Sequence, residues 1–162
     1  MEKRGEWRLG SVWRGGDGQL ILEERLQNVE ARIRAACARS GRAREQVQLI
    51  AVTKYVSLET TKRILDLGCT HIGENRWQDA SEKWNVLQGR GTWHFIGTLQ
   101  TNKVKEIVGK FDYIHSLDRL SLAKEIEKRA AQKELEVRCF IQVNVSGEQS
   151  KHGISPEDLL PF

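Results

Sequence analysis

A lysine ends an apolar run early in the chain, and its position makes it a candidate for a chemical role. The run is Leu49-Ile50-Ala51-Val52-Thr53-Lys54, which has the composition of a buried strand. Lysines are rarely buried without a partner or a task, and a buried lysine readily becomes a base or a nucleophile. Alternatively, the ammonium of such a lysine reaches solvent beyond an apolar stem. Lys54 is therefore a candidate nucleophile whose role depends on the residues around it.

Further polar residues gather where other predicted strands end, and ligands of parallel α/β folds bind at those ends. Gln142 and Asn144 alternate with apolar residues, so they share one face of the fifth strand. His94 has an alternative interpretation as a hydrogen-bonded core histidine, and Asn144 has one as a partner of loop backbone. The gathered residues are Glu74, Asn75, His94, His115, Ser116, Gln142, Asn144 and the loop residue Lys151.

The apolar pattern predicts the elements that position these side chains. One apolar stripe predicts a helix from Gln19 to Arg39, which ends at Ser40-Gly41. Residues 1–18 lack periodicity, and we expect them to form a flexible extension. From residue 48 onward, strand and helix patterns alternate. The predicted strands are 48–54, 71–75, 92–97, 113–117 and 138–145. Helices are predicted over 76–87, 101–108 and 119–133, and two further helices are predicted to begin after Ser57 and at Ser155.

Short strands joined by single helices must run parallel, because each crossover needs a connection of helix length. Two architectures fit this pattern, an open doubly wound sheet and part of a (β/α)8 TIM-type barrel. A complete barrel takes roughly 250 residues, whereas this sequence has 162. We expect an α/β fold in which residues 19–162 form a partial barrel domain, with the N-terminal helix followed by the first five βα units.

Composition and charge exclude several classes of protein. Hydrophobic residues make up 39% and charged residues 30% of the chain, which is typical of a soluble globular protein. No apolar run is long enough for a membrane span, and the N-terminus lacks the apolar core of a signal peptide. Three widely spaced cysteines predict reduced thiols in a cytoplasm. The net charge of +4 lies mainly in the N-terminal segment, which we interpret as a solvated helix face.

Motifs for phosphate-loop, dinucleotide and serine-hydrolase chemistry are missing from the sequence. The four histidines share no i, i+4 spacing and have no accompanying carboxylate set, so we expect no metal site. The basic segment is not joined to a nucleic-acid-binding motif. We therefore expect neither nucleic acid nor a membrane as a partner.

Five segments taken together resemble the pyridoxal phosphate homeostasis protein family, in order as well as in spacing. The most specific are the stretches His94–Lys103 and Gln142–Gly153. The resemblance runs from about residue 20 to the end, and the family commonly has serine where this chain has Thr53. The segments are Ala51-Val52-Thr53-Lys54, Ile72-Gly73-Glu74-Asn75, Trp93–Lys103, Ile114-His115-Ser116-Leu117-Asp118 and Ile141–Gly153.

The resemblance implies a fold, a cofactor and a set of residues. Family members are single-domain barrels similar to the N-terminal domain of alanine racemase, and they carry pyridoxal 5'-phosphate as a Schiff base on the lysine that ends strand one, here Lys54. On this hypothesis, strand alternation places Asn75, His94 and Asn144 on the ring side of the pocket, and Lys151 is a nearby amine that would accept or relay the aldehyde. The implied function is cofactor homeostasis and delivery to apo-enzymes, without catalytic turnover.

Two other functions stay open at this point. An amino-acid racemase or decarboxylase of the same barrel type would need a second acid/base residue, often a tyrosine, and a second domain; the chain has Tyr55 and Tyr113. A basic interaction module would use the arginine-rich N-terminal helix. The resemblance also implies three further units that hold the cofactor phosphate. We therefore expect either that this chain is a fragment or a truncated reading frame, or that something else completes the barrel, and we expect the 162-residue chain alone to hold the phosphate poorly.

Overall fold

A computed structural model describes residues 17–88 and 90–162, which fall into two compact units that meet in sequence between Val47 and Gln48. The second unit alternates strands and helices, as the sequence predicts. The strands are β1 (Ala51–Val52), β2 (His71–Glu74), β3 (Thr92–Phe95), β4 (Tyr113–Leu117) and β5 (Arg138–Ile141). The helices are α1 (Asp17–Arg39), in the first unit, and α2 (Leu58–Asp66), α3 (Trp77–Val86), α4 (Val104–Ile107) and α5 (Leu120–Gln132) in the second.

All five strands pair in parallel, and they lie in sequential order from β1 to β5. A helical crossover joins each neighbouring pair, as parallel pairing requires. A doubly wound sheet reverses its strand order at a switch point, and the described sheet has no such reversal. The fold is therefore α/β with one strand added per βα unit in a constant direction, and the doubly wound alternative does not fit.

The two faces of the sheet differ, because successive side chains of a strand point to opposite sides. One face packs against the helices and carries the core, in which Ile72 and Ile114 have no exposed surface. Strand residues Trp93 and Phe95 and helix residues Leu65, Ala80, Ile107, Leu122 and Ile126 belong to the same core. The opposite face, which we call the open face, carries Val52, His71, His94, His115 and Phe140. Val52 and Phe140 remain 54% and 52% exposed, so the apolar core lies on the helix side alone.

Several predicted boundaries are confirmed, and the two outer strands are shorter than predicted. The strand predicted over 113–117 is β4, and the Ser57 hydroxyl accepts from the Thr60 amide at 3.1 Å, as expected of a helix N-cap. The strands predicted over 48–54 and 138–145 are paired only as β1 and β5. Each has a neighbour on one side only in the described sheet, so its ladder ends early.

The segment predicted to open a last helix forms turns instead. The Ser155 hydroxyl does accept from the Asp158 amide at 3.2 Å, as an N-cap would. Residues 156–161 nevertheless form a bend and turns. One hydrogen bond there has the four-residue spacing of an α-helix, from the Phe162 amide to the Asp158 carbonyl at 3.1 Å. A single turn is too short to repay the cost of helix nucleation. For a related reason the helix predicted over 101–108 begins as a tighter 3-10 turn before α4.

The first unit is built on α1, which confirms the helix predicted over Gln19–Arg39 and begins two residues earlier. Gly41, with φ of +63°, ends it as the sequence indicates. Residues 1–16 of the predicted extension lie outside the described residues, while Asp17 and Gly18 already belong to α1.

Part of the basic segment is paired within this unit. Glu30 accepts from Arg34 at 2.8 Å and from Arg44 at 2.6 Å. The hydrogen bond from Arg44 is the main reason why the pKa of the Glu30 carboxyl lies below its usual value. None of the helices in the described part of the chain is long and apolar enough to cross a membrane.

Gly97→Ala should destabilise the second unit more than Gly73→Ala. A Cβ at Gly97 would lie 2.2 Å from the backbone oxygen of Asn75, whereas a Cβ at Gly73 would first meet the end of the flexible Ile96 side chain at 3.2 Å. Overpacking costs roughly 1–3 kcal/mol, and we expect Gly97→Ala to fall in the upper part of that range. Urea unfolding followed by circular dichroism gives both values, and equal midpoints would contradict the prediction.

Candidate functional site

The ends of β1 and β2 bring Lys54 and Asn75 to the same side of the sheet. Val52 pairs with Gly73 in the parallel register. The residue two positions beyond each of them points to the same face, so Lys54 and Asn75 continue the open face at adjacent strand ends. Glu74 lies between these positions in sequence and points to the helices. Two of the sequence-predicted site residues thus share one edge of the sheet.

Lys54 lies in a turn directly after β1 and is half-buried. The Val56 amide closes this turn by donating to the Thr53 carbonyl at 3.1 Å. The Lys54 Nζ atom lies 5.1 Å from the ring centre of the exposed Tyr55. None of the ion pairs among the described residues involves this amine, so its nitrogen is not engaged by a carboxylate there.

Asn75 offers a hydrogen-bond acceptor beside this turn. Its side-chain oxygen is buried and has no partner among the described residues. Such a group is costly, and in native proteins it commonly marks the place of a missing partner. Gly97 lies so close to the Asn75 backbone that only glycine fits there. The end of β3 therefore packs against Asn75 and fixes its place at the edge of the open face.

Behind this edge, a buried polar network joins β1, β2 and α3. Lys83 of α3 donates to the Thr53 carbonyl at 2.7 Å and to Glu74 Oε1 at 2.8 Å. The Thr53 hydroxyl donates to the same Glu74 oxygen at 2.7 Å. Thr53 and Glu74 have no exposed surface. The sequence groups Glu74 with the polar strand ends, and the structure places it on the helix side, where it ties two strand ends together.

Three of the four histidines form a hydrogen-bonded row across β2, β3 and β4. His71 Nδ1 lies 2.9 Å from His94 Nε2, and His94 Nδ1 lies 2.8 Å from His115 Nε2. The Tyr113 ring stacks on His94 with ring centres 4.7 Å apart. His94 is thus buried and bound at both ring nitrogens, as the core-histidine interpretation expects, and it lies on the same face as Lys54.

The central histidine of the row, His94, is uncharged near neutral pH. Burial is the main cause that lowers the pKa of His94 to about 4, and the neighbouring His115 and His71 contribute to this shift. Burial also lowers the pKa of His115. A neutral imidazole donates through one nitrogen and accepts through the other, which suits a continuous row. Within the described residues, no group of three or more histidine, cysteine, aspartate or glutamate side chains could hold a metal ion.

Asn144 and Lys151 lie together in the loop that follows β5. The Asn144 amide nitrogen donates to the carbonyls of Glu148 at 2.9 Å and Lys151 at 3.4 Å, and its oxygen accepts from Ser146 at 3.1 Å. This amide is therefore used to hold the loop, as the alternative interpretation expects. Lys151 Nζ pairs with Glu148 at 2.6 Å in a mostly exposed ion pair. Both residues line an open concavity of 470 Å³ formed by 142–146 and 150–152.

Sequence reasoning missed Lys83 and the role of His71, although the sequence carries a signal for each. Ala80, Lys83 and Leu87 fall on one stripe of α3, and the first and last belong to the buried core. A lysine on an apolar stripe needs a buried partner. The histidines of the row are 23 and 21 residues apart. That interval matches the distance between strand starts and places them at one level of the sheet.

Known proteins are similar to this chain either in sequence or in fold alone. The chain is 44% identical over 137 residues to the pyridoxal phosphate homeostasis protein of Aquifex aeolicus, covering 84% of this chain and 60% of that protein. The structure of PipY from Synechococcus elongatus with PLP bound is 35% identical, with a TM-score of 0.66, covering 79% of this chain and 61% of that chain. A histidine racemase from Leuconostoc mesenteroides is similar in fold alone, with 13% identity and a TM-score of 0.55 over 72% of this chain and 32% of that chain. No model of a known family matches the chain.

These comparisons confirm the resemblance that the motifs predict: the chain is a relative of the pyridoxal phosphate homeostasis proteins. It spans 60% of the length of the Aquifex aeolicus protein. The similarity to a racemase also confirms the α/β class of the fold.

The second unit should lose stability as the pH falls from 6.5 toward 4. The pKa of His94 is about 4 in the folded chain against an ordinary value of 6.5, so the unfolded chain binds more protons in this window. The contribution of His94 to the free energy of unfolding is therefore complete above pH 6.5 and is lost as the pH falls toward 4. The stability difference between the wild-type chain and His94→Asn should shrink by on the order of 1 kcal/mol.

Urea unfolding at several pH values between 7 and 4 measures this difference. His152→Asn, which changes an exposed loop histidine, is the matched control. A difference between wild type and His94→Asn that stays constant over the window would contradict the assignment.

Proposed function

We propose that this relative of the pyridoxal phosphate homeostasis proteins binds pyridoxal 5'-phosphate, with Lys54 as the residue that holds it. The observation that carries the proposal is the place of Lys54, a half-buried lysine at the end of β1, adjacent to the end of β2, where Asn75 has a buried oxygen without a partner among the described residues. PipY, whose structure contains bound PLP, is similar over 79% of this chain. Because the chain spans 60% of its Aquifex aeolicus relative, the activity of the whole protein is part of the proposal.

The residues at this edge suit the ring side of such a cofactor. Lys54 offers a primary amine, and Asn75 offers a buried acceptor that lacks a partner among the described residues. Both nitrogens of His94 are already bound, so His94 would contribute a neutral wall. Asn144 would act through the loop that it holds. In family members, by the resemblance, the phosphate is held by units that follow the first five.

The protein's part in cofactor binding is to present an accessible amine. Pyridoxal phosphate supplies an aldehyde, which a neutral lysine amine converts to a Schiff base with release of one water molecule. Lys54 is suited to this because no described ion pair occupies its amine. The linkage is reversible, and a second amine can take over the aldehyde. Reversible holding fits homeostasis and delivery to apo-enzymes, and we propose a carrier without catalytic turnover.

The proposal extends to the whole molecule. Five βα units with sequential strands support a (β/α)8 barrel whose interior is the open face. The three cysteines, all within the described residues, are free thiols, and reduced thiols support a cytoplasmic location. The racemase or decarboxylase alternative has the shared fold in its favour, and fold alone does not assign a reaction.

Reduction with borohydride should attach pyridoxal phosphate to Lys54. The chain is mixed with the cofactor, reduced under native conditions and mapped by mass spectrometry of its peptides. Lys54 should carry most of the label, because its amine is in no ion pair of the described residues and follows a strand end adjacent to that of Asn75. Lys54→Ala should lose the Schiff-base absorbance and keep the circular dichroism spectrum of the wild-type chain.

Lys62→Ala is the matched control, since it removes an exposed lysine from α2. It should leave absorbance and labelling unchanged. Label spread evenly over the other lysines of the native chain would refute the assignment of Lys54.

Lys151→Ala should slow the transfer of pyridoxal phosphate to an apo-enzyme several-fold while resting binding stays unchanged. Lys151 is an exposed amine that can take over the aldehyde, and its ion pair with Glu148 contributes little to stability. Glu148→Gln is the control, because it frees the same amine and should not slow transfer. Unchanged transfer in Lys151→Ala would assign Lys151 to the solvated loop alone.

A further inference from the structure

A charged pair is buried on the helix side of the sheet, directly behind Lys54. The side chains of Lys83 and Glu74 are 8% and 0% exposed, and their charged atoms lie 2.8 Å apart. Removing two ions from water is costly, and a protein with apolar residues of similar volume in their place is often as stable. Glu74 Oε2 has no partner among the described residues. A gain in stability therefore accounts poorly for the Lys83–Glu74 pair, and its role is to be sought in the groups to which the two side chains hydrogen-bond.

Those groups converge on Thr53, the residue that immediately precedes Lys54. The Thr53 amide donates to a β2 carbonyl at 2.9 Å. Its hydroxyl donates to Glu74 at 2.7 Å. Its carbonyl accepts from the Lys83 ammonium at 2.7 Å and from the Val56 amide at 3.1 Å. Every polar atom of Thr53 is thus bound, and the turn that carries Lys54 starts from a fixed residue.

The bond from Lys83 acts on the peptide group that joins Thr53 to Lys54. The same carbonyl oxygen closes the turn by accepting from Val56. A hydrogen bond from an ammonium is roughly twice as strong as a neutral one, and the buried site excludes competing water. Lys83 consequently sets the orientation of this peptide plane, from which the Lys54 side chain departs.

The network binds one face of the strands and leaves the other face available. Thr53 and Lys54 point to opposite sides because they are successive residues. Glu74 and Asn75 repeat the arrangement on β2, with Glu74 in the network and Asn75 toward the open face. The helix-side pair therefore holds the two residues, Thr53 and Glu74, that Lys54 and Asn75 directly follow in the chain.

We infer that Lys83 and Glu74 are positioning residues that hold the Thr53–Lys54 peptide so that the Lys54 amine faces Asn75. They act through the backbone and do not touch the cofactor. This inference rests on the proposed function, since it gives Lys83 a task only if Lys54 is the reacting amine.

A double variant separates positioning from charge compensation. Lys83→Met alone would leave a buried carboxylate unpaired, which is strongly destabilising. Lys83→Met combined with Glu74→Gln removes both charges and keeps an acceptor for the Thr53 hydroxyl. Nothing then replaces the bond from Lys83 to the Thr53 carbonyl. Lys83→Met combined with Glu74→Leu fills the site with apolar groups and serves as a second variant if the first does not fold.

The matched control is Lys103→Met. It removes an ammonium that pairs with Glu106 at 2.9 Å on the surface. It therefore has the same chemical change as Lys83→Met, away from the turn. Neither labelling nor unfolding temperature should change in this variant.

The probe is pyridoxal, which lacks the phosphate, so that binding does not depend on a phosphate site. The 162-residue chain is treated with pyridoxal, reduced with borohydride below the unfolding temperature, and mapped for label on Lys54 and on the exposed Lys128 and Lys151. In the double variants the ratio of Lys54 label to the other two should fall about tenfold, as expected for a displaced reacting group. Exchange of the Val56 amide hydrogen should become faster in the same variants.

The outcomes distinguish the two proposals. A wild-type chain without preference for Lys54 would overturn the proposed function. A wild-type preference that persists in a folded double variant, with slow Val56 exchange, would overturn the positioning role and leave the proposed function standing. A lost preference in either folded double variant, with Lys103→Met unchanged, supports both.

Discussion

The structure depends on one constraint of parallel strands, that neighbouring residues point to opposite faces. At the ends of β1 and β2 this constraint divides each pair of residues between two tasks. Thr53 and Glu74 point to the helices and enter a buried network with Lys83. Lys54 and Asn75 point the other way. At each of these two strand ends, the polar residue on the open face directly follows a hydrogen-bonded polar residue on the helix face.

Much of the fold could be predicted because its signals are local. The alternation of strand patterns with helix patterns located all five strands, and the Ser57 cap located the start of α2. The prediction of a helix from Ser155 was wrong because a cap and a proline favour a helix start but do not supply the packing that stabilises a helix. The site divides in the same way. Strand-end position predicted the edge shared by Lys54 and Asn75, whereas the contact of Lys83 with Thr53 joins residues 30 apart and needs the folded chain.

Asn144 illustrates why residue type alone is a weak guide to a binding site. Its place in a polar alternation suggested a ligand-facing amide, and in the structure that amide holds its own loop. A loop of polar residues needs internal acceptors and donors to keep a shape. The same amide can therefore serve recognition indirectly, by giving the loop of Lys151 a defined conformation. This distinction is invisible in a linear sequence, because both roles call for the same side chain.

The row of three histidines has a consequence for where its protons reside. When all three rings are neutral, His94 can donate to only one neighbour and must accept from the other. If His71 donates from Nδ1, all three rings carry their hydrogen on Nδ1; if His115 donates from Nε2, all three carry it on Nε2. The rings therefore share one tautomer, and reversing it requires all three to change together. A polar group that binds the outer nitrogen of either terminal ring would select the tautomer of the whole row.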